Sequence, residues 1–176
     1  TEGRLSAIYL GEGTANTIAP TANTKLIRSY AYNAHGEIRT VVDNTSFLTG
    51  GTLTTKLEYD YNAFGLPETL TYTDINGGTH TARETTVLTY DGNGNILTES
   101  VTEAYSGNAT KTKTYGYDLG NRLISAACGD TTTTYAYDLV GNRLSRIKGT
   151  EPIEEYGYNY LNQLTHVQQG TAVTTY

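Results

Sequence analysis

The segment Asp91-Gly92-Asn93-Gly94-Asn95 spaces side-chain oxygens two residues apart, as a calcium loop does at its opening. A loop of that kind needs glycine at its sixth position and a bidentate glutamate at its twelfth. Those positions hold Ile96 and Thr102, so the segment reads as a turn. His35, His80 and His166 stand at unequal intervals, and no two have metal-ligand spacing. Cys128 is the single cysteine, so it forms no internal disulfide, and no base is placed to activate it. A glycosidase needs two carboxylates converging in one cleft. Asp60, Asp91, Asp118 and Asp138 instead recur once per copy of a short motif and read as turn caps. No catalytic residue, metal ligand or cofactor is expected, and the chain is read as a non-enzyme.

Tyrosine is the remaining residue type with chemistry to offer. The chain has 16 Tyr, 2 Phe and neither Trp nor Met in 176 residues. Such rings either stack on the faces of sugars or pack across the strands of a sheet. Pairs such as Tyr115/Tyr117, Tyr135/Tyr137 and Tyr156/Tyr158 recur in register and read as sheet packing. Tyr72, Tyr105 and Tyr160 stand outside the pairs and are the candidate ligand contacts. Asn44-Thr45-Ser46 and Asn108-Ala109-Thr110 have the form of glycosylation sequons, relevant in a secreted eukaryotic chain.

The pairs belong to a motif: aromatic or leucine, any residue, tyrosine, Asp or Asn, then a Gly or Asn turn. It occurs six times, with its second tyrosine at 32, 61, 90, 117, 137 and 158. The recurring positions are Tyr32, Asn33 and Gly36; Tyr61, Asn62 and Gly65; and Tyr90, Asp91, Gly94 and Asn95. They continue as Tyr117, Asp118 and Asn121; Tyr137, Asp138, Gly141 and Asn142; and Tyr158, Asn159 and Asn162. A fixed motif at such a period marks a repeat array. Alternation puts Tyr135 and Tyr137 on one face of a strand, Asp138 opens a type I turn, and Gly141 suits its left-handed position. Each repeat is therefore expected to be one β-hairpin, centred near 30–42, 59–72, 88–101, 115–127, 135–147 and 156–168. The copies at Tyr117 and Tyr158 have one residue fewer between Tyr and Leu, which predicts a shorter turn. Pro67 is expected at a strand start, an edge or a bulge.

The polar stretches 43–51, 73–79 and 104–108 separate hairpins and are expected as surface loops or lengthened hairpin ends. With no composition break, residues 1–176 read as a single array, all-β, in a twisted and curved antiparallel strip. Gly3 to Ile8 matches the second half of a repeat and Thr174-Thr175-Tyr176 the opening of one, so partial repeats are expected at both ends. Unpaired edges there favour self-association. With only 37% hydrophobic residues, the tyrosine rings are expected to supply much of the buried area. On that basis Tyr137→Ala costs about 3–5 kcal/mol. A net charge of −6 without a basic stripe predicts no nucleic-acid partner. No apolar run nears the length of a membrane span, so no membrane insertion is expected.

Tyr137-Asp138-Leu139-Val140-Gly141-Asn142-Arg143-Leu144 resembles the long form of the YD repeat, or Rhs repeat. Tyr117 to Leu123 resembles the short form, with Gly120 in place of Leu, and Tyr158 to Leu164 keeps Leu161 and Asn162 of it. The resemblance covers almost the whole chain, residues 26–176 clearly and 3–8 as a remnant. It implies a β-sheet strip that winds into a hollow shell, as in bacterial Rhs proteins, wall-associated proteins and the shell subunits of insecticidal toxin complexes. Teneurins use a similar barrel in adhesion. The implied role is a structural and interaction module, a segment of the shell or surface scaffold of a larger secreted bacterial protein. Its partners would be neighbouring YD repeats, glycans or an encapsulated toxin. The competing reading is a carbohydrate-binding or adhesion module that uses exposed tyrosines and polar insertions. Nothing in the chain resembles the family's self-cleaving core segment or a toxin domain.

Overall fold

A computed structural model describes residues 4–10, 25–44 and 50–176. It is all-β, with fourteen strands and one short 3₁₀ turn among the described residues. The strands are β1 (Ala7–Leu10), β2 (Lys25–Tyr32), β3 (Ile38–Asp43), β4 (Thr54–Tyr61), β5 (Pro67–Asn76) and β6 (Thr79–Tyr90). They continue as β7 (Ile96–Glu103), β8 (Ala109–Tyr117), β9 (Leu123–Cys128), β10 (Thr131–Tyr137) and β11 (Arg143–Lys148). The last are β12 (Glu154–Tyr158), β13 (Leu164–Gln169) and β14 (Ala172–Thr175). The 3₁₀ turn, Ala104–Ser106, lies between β7 and β8.

The chain forms two compact units, one from Thr1–Val87 with Val101–Thr110 and one from Leu88–Ser100 with Lys111–Tyr176. Within each, strands pair antiparallel with their neighbours in chain order. In the first unit the stretch 73–79 takes the second of its two expected forms, a lengthened hairpin end. β5 and β6 run on to Asn76 and Thr79 and close through Gly77 and Gly78 at φ 56° and 85°, values that suit glycine.

The turn that joins each motif tyrosine to its return strand is the same in all six copies, whichever form the sequence takes. Numbering from the tyrosine, the N–H of the residue at +1 donates to the carbonyl at +5, and the N–H at +4 donates to the carbonyl at +1. The +4 residue is left-handed every time: Gly36, Gly65, Gly94 and Gly141, but Asn121 and Asn162 at φ 60° and 59° in the short copies. Asparagine tolerates that region better than other non-glycine residues. The expected shorter turn at Tyr117 and Tyr158 is thus absent. The difference lies one step later, at a bulge. In the five hairpins with a resolved register, the tyrosine pairs with the +6 residue and the +7 residue is extra. In the short copies +6 is Leu123 or Leu164, facing the tyrosine. In the long copy at Tyr137 it is Arg143, and Leu144 falls in the bulge, 44% exposed. Pro67 takes the +6 place at the start of β5, where a missing N–H is tolerated.

The expected tyrosine core is also absent. Among the described residues no apolar side chain is buried, and Thr73 alone, 8% exposed, counts as buried. Composition argued for burial because ordinary sheets cover at least one face; here the motif tyrosines are half-buried against neighbouring strands. Removing one ring then costs less than the 3–5 kcal/mol of a core aromatic. What the hydroxyl does is more specific. Tyr32, Tyr61, Tyr117, Tyr137 and Tyr158 each donate to a backbone carbonyl of the preceding hairpin, at 2.6–3.0 Å. The acceptors are Leu5, Ile38, Ile96, Leu123 and Arg143. We expect Tyr137→Phe to lower stability by about 1 kcal/mol, the net worth of one hydrogen bond. Tyr160→Phe, at a tyrosine 92% exposed, should change nothing measurable. Urea unfolding of both variants checks the contrast.

Candidate functional site

Two sets of side chains do more than alternate along strands. The first is the row of turns. At each turn the Oδ1 of the +1 residue accepts the N–H groups of +3 and +5, at 2.8–3.1 Å. The second oxygen or nitrogen of that residue faces the +5 side chain, and the pair is complementary in five of the six copies. Asp91, Asp118 and Asp138 face the donors Asn95, Arg122 and Asn142. Asn33 and Asn159 face the acceptors Glu37 and Gln163. In the sixth copy, at Asn62, the +5 residue is the aliphatic Leu66. Both carboxylate oxygens of Asp91 are therefore occupied inside the turn, which is how the calcium-like spacing is used.

Turns also bond to turns within the second unit. The Nδ2 groups of Asn93 and Asn95 donate to Asn121, and that of Asn142 donates to Asn162. The asparagines that replace glycine in the short copies are the acceptors. Arg122 reaches the carbonyl of Asp138 at 2.9 Å and lies 5.0 Å from the ring centre of Tyr137. Arg143 lies 4.2 Å from that of Tyr156 and 5.9 Å from that of Tyr135. In two pairs the first tyrosine donates to a carboxylate: Tyr115 to Glu99 at 2.7 Å and Tyr156 to Glu154 at 2.6 Å. Burial, then the bond to Glu99, pushes the Tyr115 phenol up to about 12.

The second set lies in the first unit and holds two of the three candidate contacts. A register shift opposite Tyr72 and Thr73 leaves Arg83 as an extra residue in β6, a bulge beyond the one that follows the motif turn. Arg83 lies 5.2 Å from the ring centre of Tyr72 and 5.8 Å from that of Tyr105. The Tyr105 hydroxyl donates to Asp74 at 2.8 Å, and Arg83 reaches the same carboxylate at 3.4 Å. The bond to Asp74 raises the Tyr105 phenol above its ordinary value. Tyr72, Arg83 and Tyr105 line an open groove of about 580 Å³ with Leu57 and Leu70, Glu84, Thr86 and Glu103. Tyr160 is elsewhere, at the tip of the last motif turn beside Leu161. Sequence reading missed Arg83, Asp74 and Glu84. The only signal was the break in strict alternation along 79–90, which has no marker without the register. His35 and His80 are exposed, and His166 packs over Gly157, where a Cβ would meet its ring.

No family model matches the chain, and no curated protein matches it. Among solved structures it is similar to TcdB2-TccC3-Cdc42, at 21% identity and a TM-score of 0.62, over 84% of this chain and 7% of that one. It is also similar to TcdB2-TccC3 without the hypervariable C-terminal region, at 13% identity and a TM-score of 0.53, over 87% and 10%. The chain thus spans a tenth or less of these two chains, and at these identities the likeness is one of fold.

The turn pairs make a reciprocal prediction. Asp138→Asn sets an amide donor against the Asn142 donor and should lower the Tm by roughly 2–4 °C. Adding Asn142→Gln, which copies the Asn159–Gln163 pair, should recover most of that. The swap should also remove part of the acid sensitivity. Hydrogen bonds from Asn95 hold Asp91 below the ordinary aspartate range, and those from Arg122 do so for Asp118. For Asp138 partial desolvation pushes upward, and donors led by Asn142 outweigh it. A folded value below the unfolded one gives stability that is present above about pH 4 and lost as pH falls through the folded value. Thermal unfolding between pH 7 and pH 2.5 should therefore show a smaller acid loss for the double variant than for the native chain.

Proposed function

We propose that the chain is a stretch of YD-repeat wall in a larger secreted or surface-exposed bacterial protein, where continuous sheet encloses a cargo or meets another cell. One observation carries this reading. Among the described residues, the bonds that fix one hairpin to the next run through backbone ladder, tyrosine hydroxyl and turn, and none depends on a core. A module built that way extends by repetition and presents two open faces. The fold likeness to the two TcdB2-TccC3 structures supports a scaffold-like role in general. The YD resemblance of the sequence supports the finer reading.

Carbohydrate binding is the second reading, favoured by the meeting of Tyr72 and Tyr105 in one groove. Arg83 stands over one face of each ring, however, and Glu84 and Glu103 in the same groove have no counter-charge in a neutral sugar. Electron microscopy of the longest natural chain that carries this segment decides between them. We expect these strands to continue into further strands of the same sheet, as part of an enclosing wall. A separate module joined by linkers, with saturable binding to one class in a glycan panel, would make the chain an adhesion domain.

A further inference from the structure

The groove beside Arg83 is the place where the repeat pattern is broken twice, by the bulge in β6 and by the 3₁₀ turn that carries Tyr105. Such breaks are conserved features of a fold's design more often than defects, and they re-aim side chains. Here they bring together a floor of Leu57 and Leu70, the two tyrosines, and the carboxylates of Glu84 and Glu103. Asp74 is occupied by Arg83 and Tyr105. No described side chain pairs with Glu84 or Glu103, and Tyr105 is 72% exposed with Arg83 as its only described ring partner. With Arg83 already paired to Asp74, the two carboxylates that line the groove stand without counter-charge, beside the exposed ring of Tyr105.

We propose that this groove binds an arginine side chain presented by an extended segment of a partner protein. The proposal goes beyond the wall reading and does not depend on it. A guanidinium is planar and weakly hydrated, so it can lie on the open face of Tyr105 while its edge donates to Glu84 or Glu103. The chain uses this arrangement internally. Arg122 stacks on Tyr137 while bonding Asp118, and Arg83 stacks on Tyr105 while bonding Asp74. Charge complementarity selects a cation over a neutral sugar, because a sugar leaves two carboxylates without counter-charge. The net charge of −6 further favours approach of a basic segment at low salt.

The test is a nuclear magnetic resonance titration of the whole chain with an end-blocked Gly-Gly-Arg-Gly-Gly peptide and its citrulline twin, at low salt. We expect saturable shifts at Tyr72, Glu84, Glu103 and Tyr105 with the arginine peptide and none with citrulline. Glu84→Gln with Glu103→Gln should weaken binding by about fivefold or more, as loss of two charge pairs predicts. Glu68→Gln with Glu155→Gln removes the same charge outside the groove and should leave binding unchanged. Tyr105→Ala, at an exposed ring, gives a second reading if the first double variant unfolds. Equal binding of the citrulline peptide, an equal loss in the Glu68/Glu155 control, or shifts outside the groove would overturn the proposal. So would chitohexaose or cellohexaose shifting the same residues with Glu84→Gln and Glu103→Gln without effect.

Discussion

A sheet whose two faces both meet solvent draws little from a core, so each strand has to be held by the strand before it. The backbone ladder does part of this, but ladder bonds alone leave register weakly specified when neither face is buried. The tyrosine hydroxyl supplies what is missing. It reaches from the end of one hairpin to a carbonyl at the start of the preceding return strand, and so fixes where the next hairpin stands. A slip by one residue would turn the tyrosine to the other face and break the bond. Tyrosine in place of phenylalanine follows from this constraint, as does the skew in composition.

The turns carry the same logic along the row of hairpin ends. Oδ1 of the +1 residue closes the backbone, and the remaining atom chooses its partner by donor or acceptor type. Aspartate goes with asparagine or arginine, and asparagine with glutamate or glutamine. Where glycine gives way to asparagine at the left-handed position, the new side chain accepts a bond from the turn before it. A local necessity of the turn thereby becomes a contact between repeats. The left-handed strain of Asn121 and Asn162 is offset by a bond that glycine could not make.

Much of this was legible in the residues. The hairpins, the turn positions of Asp138 and Gly141, the place of Pro67 and the pairing of the tyrosines on one face all follow from period and turn chemistry. Two readings failed for physical reasons. Counting residues from Tyr to Leu suggested two turn lengths, because the count assumed that leucine always faces the tyrosine. A bulge at +7 breaks that assumption and sends Leu144 outward. Hydrophobic content suggested a core, because composition cannot distinguish a ring buried under a second layer from one half-covered by its own neighbours. Of the candidate contacts, Tyr72 and Tyr105 were visible as pattern breakers. Their meeting through Arg83 depends on a bulge and on a strand pairing that the sequence does not announce.

A chain held this way, hairpin to hairpin, does not need a closed core. The physical claim beneath that view concerns how little apolar surface the fold removes from water. Scanning calorimetry at several protein concentrations measures it through the heat-capacity change of unfolding. Globular domains give about 12–15 cal/mol/K per residue. The account predicts a value below about 9, independent of concentration, because apolar burial raises this quantity and backbone burial lowers it. A value in the globular range at the lowest concentration would contradict it, and would mean that the tyrosines are covered by a core after all.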